Sequence, residues 1–302
     1  MRAAVNVAQA TVEKPVEIPI SSEISPTKVS IYISLHRKWD KRAIVEKRCS
    51  FRPILARVLR HNAQMTSIWI GTSGFSYKEW KPVFYPQDLP AKDFLHYYAS
   101  RLNGVEIDST FYRMPNQATI ESWRSATPEA FRFSVKASQQ ITHRQRLKVP
   151  SEALEYFVNV VSGLGTRLGM VLFQLPPFFR CDVPKLETFL SVIPRGIPAA
   201  FEFRHESWFV ADVYSLLKKR NVALCIHDAD DHTTPLELTA AFTYVRLRRS
   251  EYSLEQRREW QNRVRGWARE GIDVYAFVKH EDNPDAPLIA MEFAKDLGMS
   301  VT

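Results

Sequence analysis

From residue 67 onward, apolar and polar positions follow two distinct periods along the chain. Short β-rich runs fall near 67–72, 103–108, 131–136, 168–174, 199–204, 222–228, 242–248 and 273–279. Near 90–102, 116–126, 151–164, 183–193, 210–220, 253–269 and 286–297, apolar residues recur at helical spacing. The segment from 253 is the clearest helix. It opens on Ser253-x-x-Gln256, a capping-box pattern, and puts Trp260, Val264 and Trp267 on one face at i, i+4, i+7. Strict alternation of strand and helix predicts a parallel sheet. Eight strands with seven helices predict an α/β fold closed into a (β/α)₈ TIM barrel, one domain over 65–302, rather than an open doubly wound sheet. Only the sixth strand has no evident helix after it, 229–240 reading as a loop.

Several strands carry charge where barrels usually carry Val, Ile and Leu. Val105 and Ile107 alternate with Glu106 and Asp108, and Phe131, Phe133 and Val135 with Arg132, Ser134 and Lys136. Phe201 and Phe203 alternate with Glu202 and Arg204, and Val245 and Leu247 with Arg246 and Arg248. Period two sends the two sets to opposite faces, so if the apolar set meets the helices, the charged set points into the barrel or its mouth. A buried charge costs several kcal/mol unless paired. One reading is an ion-pair network in which Glu106 and Glu202 pair Arg204, Arg132 or Arg246. The other is a functional site, because barrel enzymes hold their chemistry at strand C-terminal ends. Counting Glu106, Asp108, Glu202 and Asp228 against Arg132, Lys136, Arg204, Arg246 and Arg248 leaves one excess positive charge, which suits a phosphate or carboxylate ligand.

Composition narrows the alternatives. The chain of 302 residues has a net charge of +8, but residues 1–64 hold 12 of the 41 Lys/Arg and 5 of the 33 Asp/Glu. That segment carries +7 and the barrel +1, which disfavours nucleic acid as the barrel's partner. Residues 1–64 are expected to be a basic extension, disordered or upstream of a start at Met65. Cys49, Cys181 and Cys225 form no CxxC pair, and no stretch has the roughly 18 uncharged apolar residues of a transmembrane helix. The expectation is a cytoplasmic protein with no membrane partner.

The candidate site residues follow the strand ends. In GTSGFSY (71–77), Thr72 and Ser73 with backbone N–H groups could hold an anion, or the segment is a turn. FEFRHESW (201–208) brings together Glu202, Arg204, His205 and Trp208: an acid or base, an anion clamp, an imidazole and a stacking surface. Lys136, Gln174 and Arg248 end strands three, four and seven. Phe75, Tyr77, Trp80, Tyr85 and Tyr112 put aromatics on the first two loops, for stacking or for loop packing. The expected roles are acid–base catalysis by Glu202, His205 and Asp108, and substrate binding by Thr72, Ser73, Lys136, Gln174, Arg204, Trp208 and Arg248. No cofactor is firmly implied; the alternative is a divalent metal held by His143, Glu202, His205, Asp228 and His280. A Walker loop and a GxGxxG fingerprint are absent, and no carboxylate pair marks a glycosidase.

IWIGTSGFSYKEWKPVFYP (68–86), VEIDSTFYRMP (105–115), FRFSVKASQQITH (131–143), GMVLFQLPPFF (169–179) and FEFRHESW (201–208), in this order, resemble the YecE-like family, also called domain of unknown function 72. The resemblance implies a (β/α)₈ barrel starting near Met65 and implies no reaction. VKHED (278–282) stands where an Asn-rich ending is expected in that family. The leading expectation is an enzyme, a hydrolase or lyase, acting on a small anionic molecule at the barrel mouth. Two alternatives stand beside it: a metal-assisted phosphodiesterase or nucleic-acid-binding protein, and a non-catalytic binding protein.

Overall fold

The computed structural model describes residues 66–279 and 284–299; the expected extension over 1–64 lies outside them. Eight parallel strands follow the predicted bounds closely: β1 (Ile68–Thr72), β2 (Gly104–Ile107), β3 (Arg132–Lys136), β4 (Leu168–Gln174), β5 (Ala199–Glu202), β6 (Ala223–Asp228), β7 (Phe242–Leu247) and β8 (Asp273–Val278). The helices are α1 (Phe94–Ala99), α2 (Gln117–Ser125), α3 (Glu152–Ser162), α4 (Val183–Val192), α5 (Ala211–Arg220), α6 (Leu254–Arg269) and α7 (Ala286–Asp296). Every strand but β6 is followed by one of them. No helix among the described residues is long and apolar enough to cross a membrane.

Local chemistry accounts for the element ends. Ser253 and Gln256 form the full reciprocal capping box at α6, and Trp260 and Val264 on its apolar face are buried. Asp182 caps α4 by accepting from the Lys185 N–H, and Asn221 ends α5 in the left-handed region that Asn tolerates.

The strands hydrogen-bond in the order β1-β8-β7-β6-β5-β4-β3-β2, a nearly closed barrel. Its interior has two tiers. The lower one is apolar, built from Trp69, Met170, Leu172, Cys225, Tyr244, Tyr275 and Phe277; the Trp69 and Tyr275 rings stack at 4.5 Å. The upper tier, nearer the strand C-terminal ends, is polar. A larger apolar core fills the space between sheet and helices.

The seam between β1 and β2 is closed largely by side chains. Its backbone contribution is one parallel bridge, Ser73 to Glu106, with the Gly74 N–H donating to the Glu106 carbonyl at 2.7 Å. Below that, the Asn103 amide accepts from the Ile70 N–H and donates to the Ile68 carbonyl, both at 2.8 Å, supplying what a neighbouring strand would. The Tyr98 hydroxyl of α1 accepts from the Thr72 N–H at 2.8 Å and donates to the Gly104 carbonyl at 3.1 Å. The backbones approach so closely here that a Cβ on Gly71 would lie 1.9 Å from the Gly104 oxygen. Gly71→Ala is therefore expected to cost about 3 kcal/mol or more. Gly196→Ala, where a Cβ meets nothing within 4 Å, should stay within about 0.5 kcal/mol of the parent. Urea unfolding of both variants checks the contrast, and comparable losses would mean the seam tolerates a side chain.

Candidate functional site

The polar tier is organised by β7, whose alternation points Tyr244, Arg246 and Arg248 inward. Arg246 is buried. Its Nη1 donates to Glu202 Oε2 at 2.7 Å, while Nη2 and Nε donate to Glu106 Oε1 at 2.7 and 3.2 Å. Glu106, from the far side of the barrel, also accepts from the Ser73 and Tyr244 hydroxyls at 2.5 and 2.6 Å and from Arg248 Nη2 at 2.9 Å. Glu202 accepts from Gln174 Nε2 at 2.9 Å and pairs with Arg204 through Nε. Asp108 lies 3.6 Å from Lys136 and 3.4 Å from Arg248.

The two buried carboxylates titrate in opposite directions. Burial pushes Glu106 up to about 7, the Asp108 charge adding to it against the pull of Arg246, Ser73 and Tyr244. Burial would raise Glu202 as well, but Arg246, Arg204, His227 and Lys136 together outweigh it and hold the carboxyl well below its usual range. Burial would also discharge Arg246; Glu106, Glu202 and Asp108 keep it charged. His227 Nε2 is 4.0 Å from Glu202 Oε1. Burial lowers its pKa to about 4, Arg204, Arg246 and His232 acting with burial and Glu202 against it, so the imidazole is neutral near pH 7.

Above this layer a cavity of about 400 Å³ opens at the strand C-terminal ends. Asp108, Lys136, Gln174, Arg204, His227 and Arg248 line it, with Lys279 on the β8 side and Asp230 and Asp231 on the β6–β7 loop. Asp230 accepts from the Ser250 N–H at 3.0 Å. Of the residues expected in the site, Asp108, Lys136, Gln174, Arg204 and Arg248 thus meet in one cavity, and Glu202 lies directly beneath them.

Other expected residues are placed elsewhere, each for a definite reason. His205 Nδ1 accepts from the Ser207 N–H and caps the short turn Glu206–Trp208. Trp208 is buried, its ring stacked on Phe203 at 4.7 Å and its Nε1 donating to the Phe179 carbonyl, so it offers no stacking surface. Thr72 and Ser73 are buried in the β1–β2 seam. Asp228 and Arg132 leave the charge count. Asp228 has the outward parity on β6 and accepts from Trp260 Nε1 and Arg249 Nε, both at 2.9 Å. Arg132 starts β3 at the opposite barrel end, with its guanidinium 5.2 Å over the Trp69 ring. Among the aromatics of the first two loops, Trp80 and Tyr85 are buried in loop packing, whereas Tyr112 is exposed.

Among the described residues, the members of the alternative metal set do not converge. His143 pairs with Thr142 at 2.9 Å and packs edge-on against Phe111, Asp228 faces outward, and His280 lies outside the described residues. Among the described residues no three His, Cys, Asp or Glu side chains converge as ligands. Conversely, His227, Arg246 and Lys279 line the cavity and are not among the expected catalytic or binding residues. Parity was the available signal, since His227 shares the inward face with Cys225, and Lys279 with Tyr275 and Phe277.

A family model described as "Protein of unknown function DUF72" matches residues 69–302. The UPF0759 protein YunF of Bacillus subtilis is 34% identical over 156 residues, covering 49% of this chain and 54% of that protein. The UPF0759 protein YecE of Escherichia coli K12 is 29% identical over 143 residues, 47% of this chain and 50% of its own. The chain thus spans about half the length of these curated relatives. The crystal structure of a DUF72 family protein from Thermotoga maritima superposes with a TM-score of 0.68 at 28% identity, over 77% of this chain and 99% of that one. One from Enterococcus faecalis gives 0.59 at 20%, over 78% and 99%, and shows the fold alone.

Two outcomes follow from the buried layer. Arg246→Met leaves two buried carboxylates without their shared cation and is expected to cost about 3–5 kcal/mol or to prevent folding. Lys136→Met, beside the partly exposed Asp108, should cost about 1 kcal/mol or less; equal losses in urea unfolding would contradict the network's role. Acid should separate wild type from His227→Gln. As pH falls, the unfolded imidazole takes its proton near 6.5 and the native one only near about 4, so wild-type stability is lost across that window, by up to about 3 kcal/mol. Unfolding near about pH 7 and about pH 4.5 should show a smaller acid loss in the variant, and parallel profiles would refute the assignment.

Proposed function

The chain belongs to the DUF72 family, whose description carries no reaction, and from the geometry of its barrel mouth we propose an enzyme acting on a small molecule that bears a phosphate or a carboxylate. The carrying observation is the convergence of Lys136, Arg204 and Arg248 on one cavity of about 400 Å³. That size suits a metabolite, and guanidinium forks match the oxygens of either anion. Arg204 is the primary clamp: its Nε pairs with Glu202, and the side chain, about a third exposed, lines the cavity. Lys136 and Arg248 flank it, each already oriented by Asp108.

Two groups in the lining can exchange protons with a bound molecule. Asp108 offers a partly exposed carboxylate, and His227 a neutral imidazole with one donor and one acceptor nitrogen. Glu202 is the positioning group beneath them, ionised and held by Gln174, Arg204 and Arg246. A cation clamp beside an acid–base pair supports cleavage of an anionic substrate, by a hydrolase or a lyase, at the barrel's C-terminal face.

Thermal unfolding of the full chain with inorganic phosphate, pyrophosphate or citrate tests this reading. At least one anion should raise the midpoint by about 5–10 °C at about 100 times its Kd. Arg204→Ala and, as an independent variant, Lys136→Met should fold and weaken that ligand about tenfold or more. No shift with any of the three, or undiminished shifts in both variants, would sink the proposal.

A further inference from the structure

Beside the cavity, Lys136 of its lining leads to a group of aromatic side chains on the loops after β2, β3 and β4. Lys136 Nζ, inside the mouth, lies 4.5 Å from the Phe111 ring centroid. Phe111 in turn meets the Tyr112 ring at 5.0 Å and the His143 ring at 4.9 Å, both edge-on. Phe111 is nearly buried and anchors this group, whereas Tyr112 is 76% exposed. Tyr112 closes the single helical turn Ser109–Tyr112, directly after the cavity residue Asp108. The next two loops extend the rim. His143 and Arg146 follow β3, and Phe178, 64% exposed, follows β4 with the Arg146 guanidinium 5.3 Å over its ring. Arg146 and Leu147 both hold left-handed backbone (φ 46° and 62°), a conformation that costs a non-glycine residue about 1 kcal/mol or more and clusters at functional loops.

Large exposed aromatics on adjacent loops leave apolar area in water that a planar ligand would cover. His143 adds a ring whose pKa is lowered by burial and by the Lys136 charge. We propose that this rim stacks a planar ring of the same ligand whose phosphate occupies the mouth, which makes the substrate a phosphate ester of a planar heterocycle such as a nucleoside monophosphate. The inference rests on the anion-binding reading and adds the substrate class to it. Lys136 is the junction: it lines the mouth, and its ammonium lies over the Phe111 ring. A single small nucleotide fits the near-neutral barrel better than a polymer, whose repeated phosphates call for a basic face.

Calorimetric titration of the full chain with inorganic phosphate, ribose 5-phosphate and adenosine 5′-monophosphate tests it. The nucleotide should bind about tenfold or more tightly than ribose 5-phosphate, the range expected for one stacked base. Tyr112→Ala, at an exposed position, should remove most of that advantage while leaving the affinities for phosphate and ribose 5-phosphate unchanged; Phe178→Ala should remove part of it. Equal affinities for the nucleotide and ribose 5-phosphate, or an advantage that survives both substitutions, would overturn the stacking rim and leave the anion site standing. If none of the three binds and citrate also fails to shift the midpoint, the anion reading falls with it.

Discussion

Arg246 places a guanidinium inside the barrel where a branched aliphatic side chain would ordinarily sit, and its neighbours follow from what that charge requires. Two carboxylates from opposite strands hold it, Glu106 from β2 and Glu202 from β5. Those carboxylates then need donors of their own, which Ser73, Tyr244, Gln174 and Arg248 supply, while Arg204 adds an ion pair to Glu202. A hydrophobic layer of similar volume would hold such a barrel at least as well, because desolvation offsets most of the attraction in a buried ion pair. Stability therefore does not account for the arrangement. What it provides is orientation: Arg204 and Arg248 each lean on a carboxylate that is itself fixed, so the cations of the mouth are held in place by the protein itself.

The division of the interior into two tiers separates two tasks. The apolar tier, with Trp69 stacked on Tyr275 and Phe277 packed near Tyr244, supplies cohesion without needing any polar partner. The charged tier then begins one residue pair higher on the same strands. Tyr244 belongs to both, its ring in the apolar cluster and its hydroxyl donating to Glu106. The superposition on the Thermotoga maritima protein, at 28% identity, extends the barrel architecture to a relative of this family.

The fold was legible because it is written in periods. The period-two runs located all eight strands, and the capping box at Ser253 placed the start of α6. The site was legible only in part, because being inside the barrel and lining its mouth are different properties. Parity identified Lys136, Gln174, Arg204 and Arg248 as inward, and their positions at strand ends put them in the cavity. It could not foretell that the chain turns directly after β5, which makes His205 a cap and sends Trp208 into the core. Asp228, a carboxylate at a strand end, resembles a site residue until its outward parity is counted. His227 is the converse case, a single imidazole whose informative feature is its inward parity on β6.

Glu106 Oε1 accepts at once from Ser73, from Arg246 and from Arg248. One oxygen atom thus joins the closing bridge of the barrel, its central cation and a cation of the mouth. Its lone pairs are finite, so a substitution that strengthens one of these bonds draws on the others. Retuning the mouth through Arg248 is then also a change to the seam at Ser73, on the other side of the barrel. Arg204 leans instead on Glu202, which takes no part in that closure. Substitution is accordingly less constrained on the β5 side of the mouth than on the β7 side, an asymmetry that arises from the saturation of a single atom.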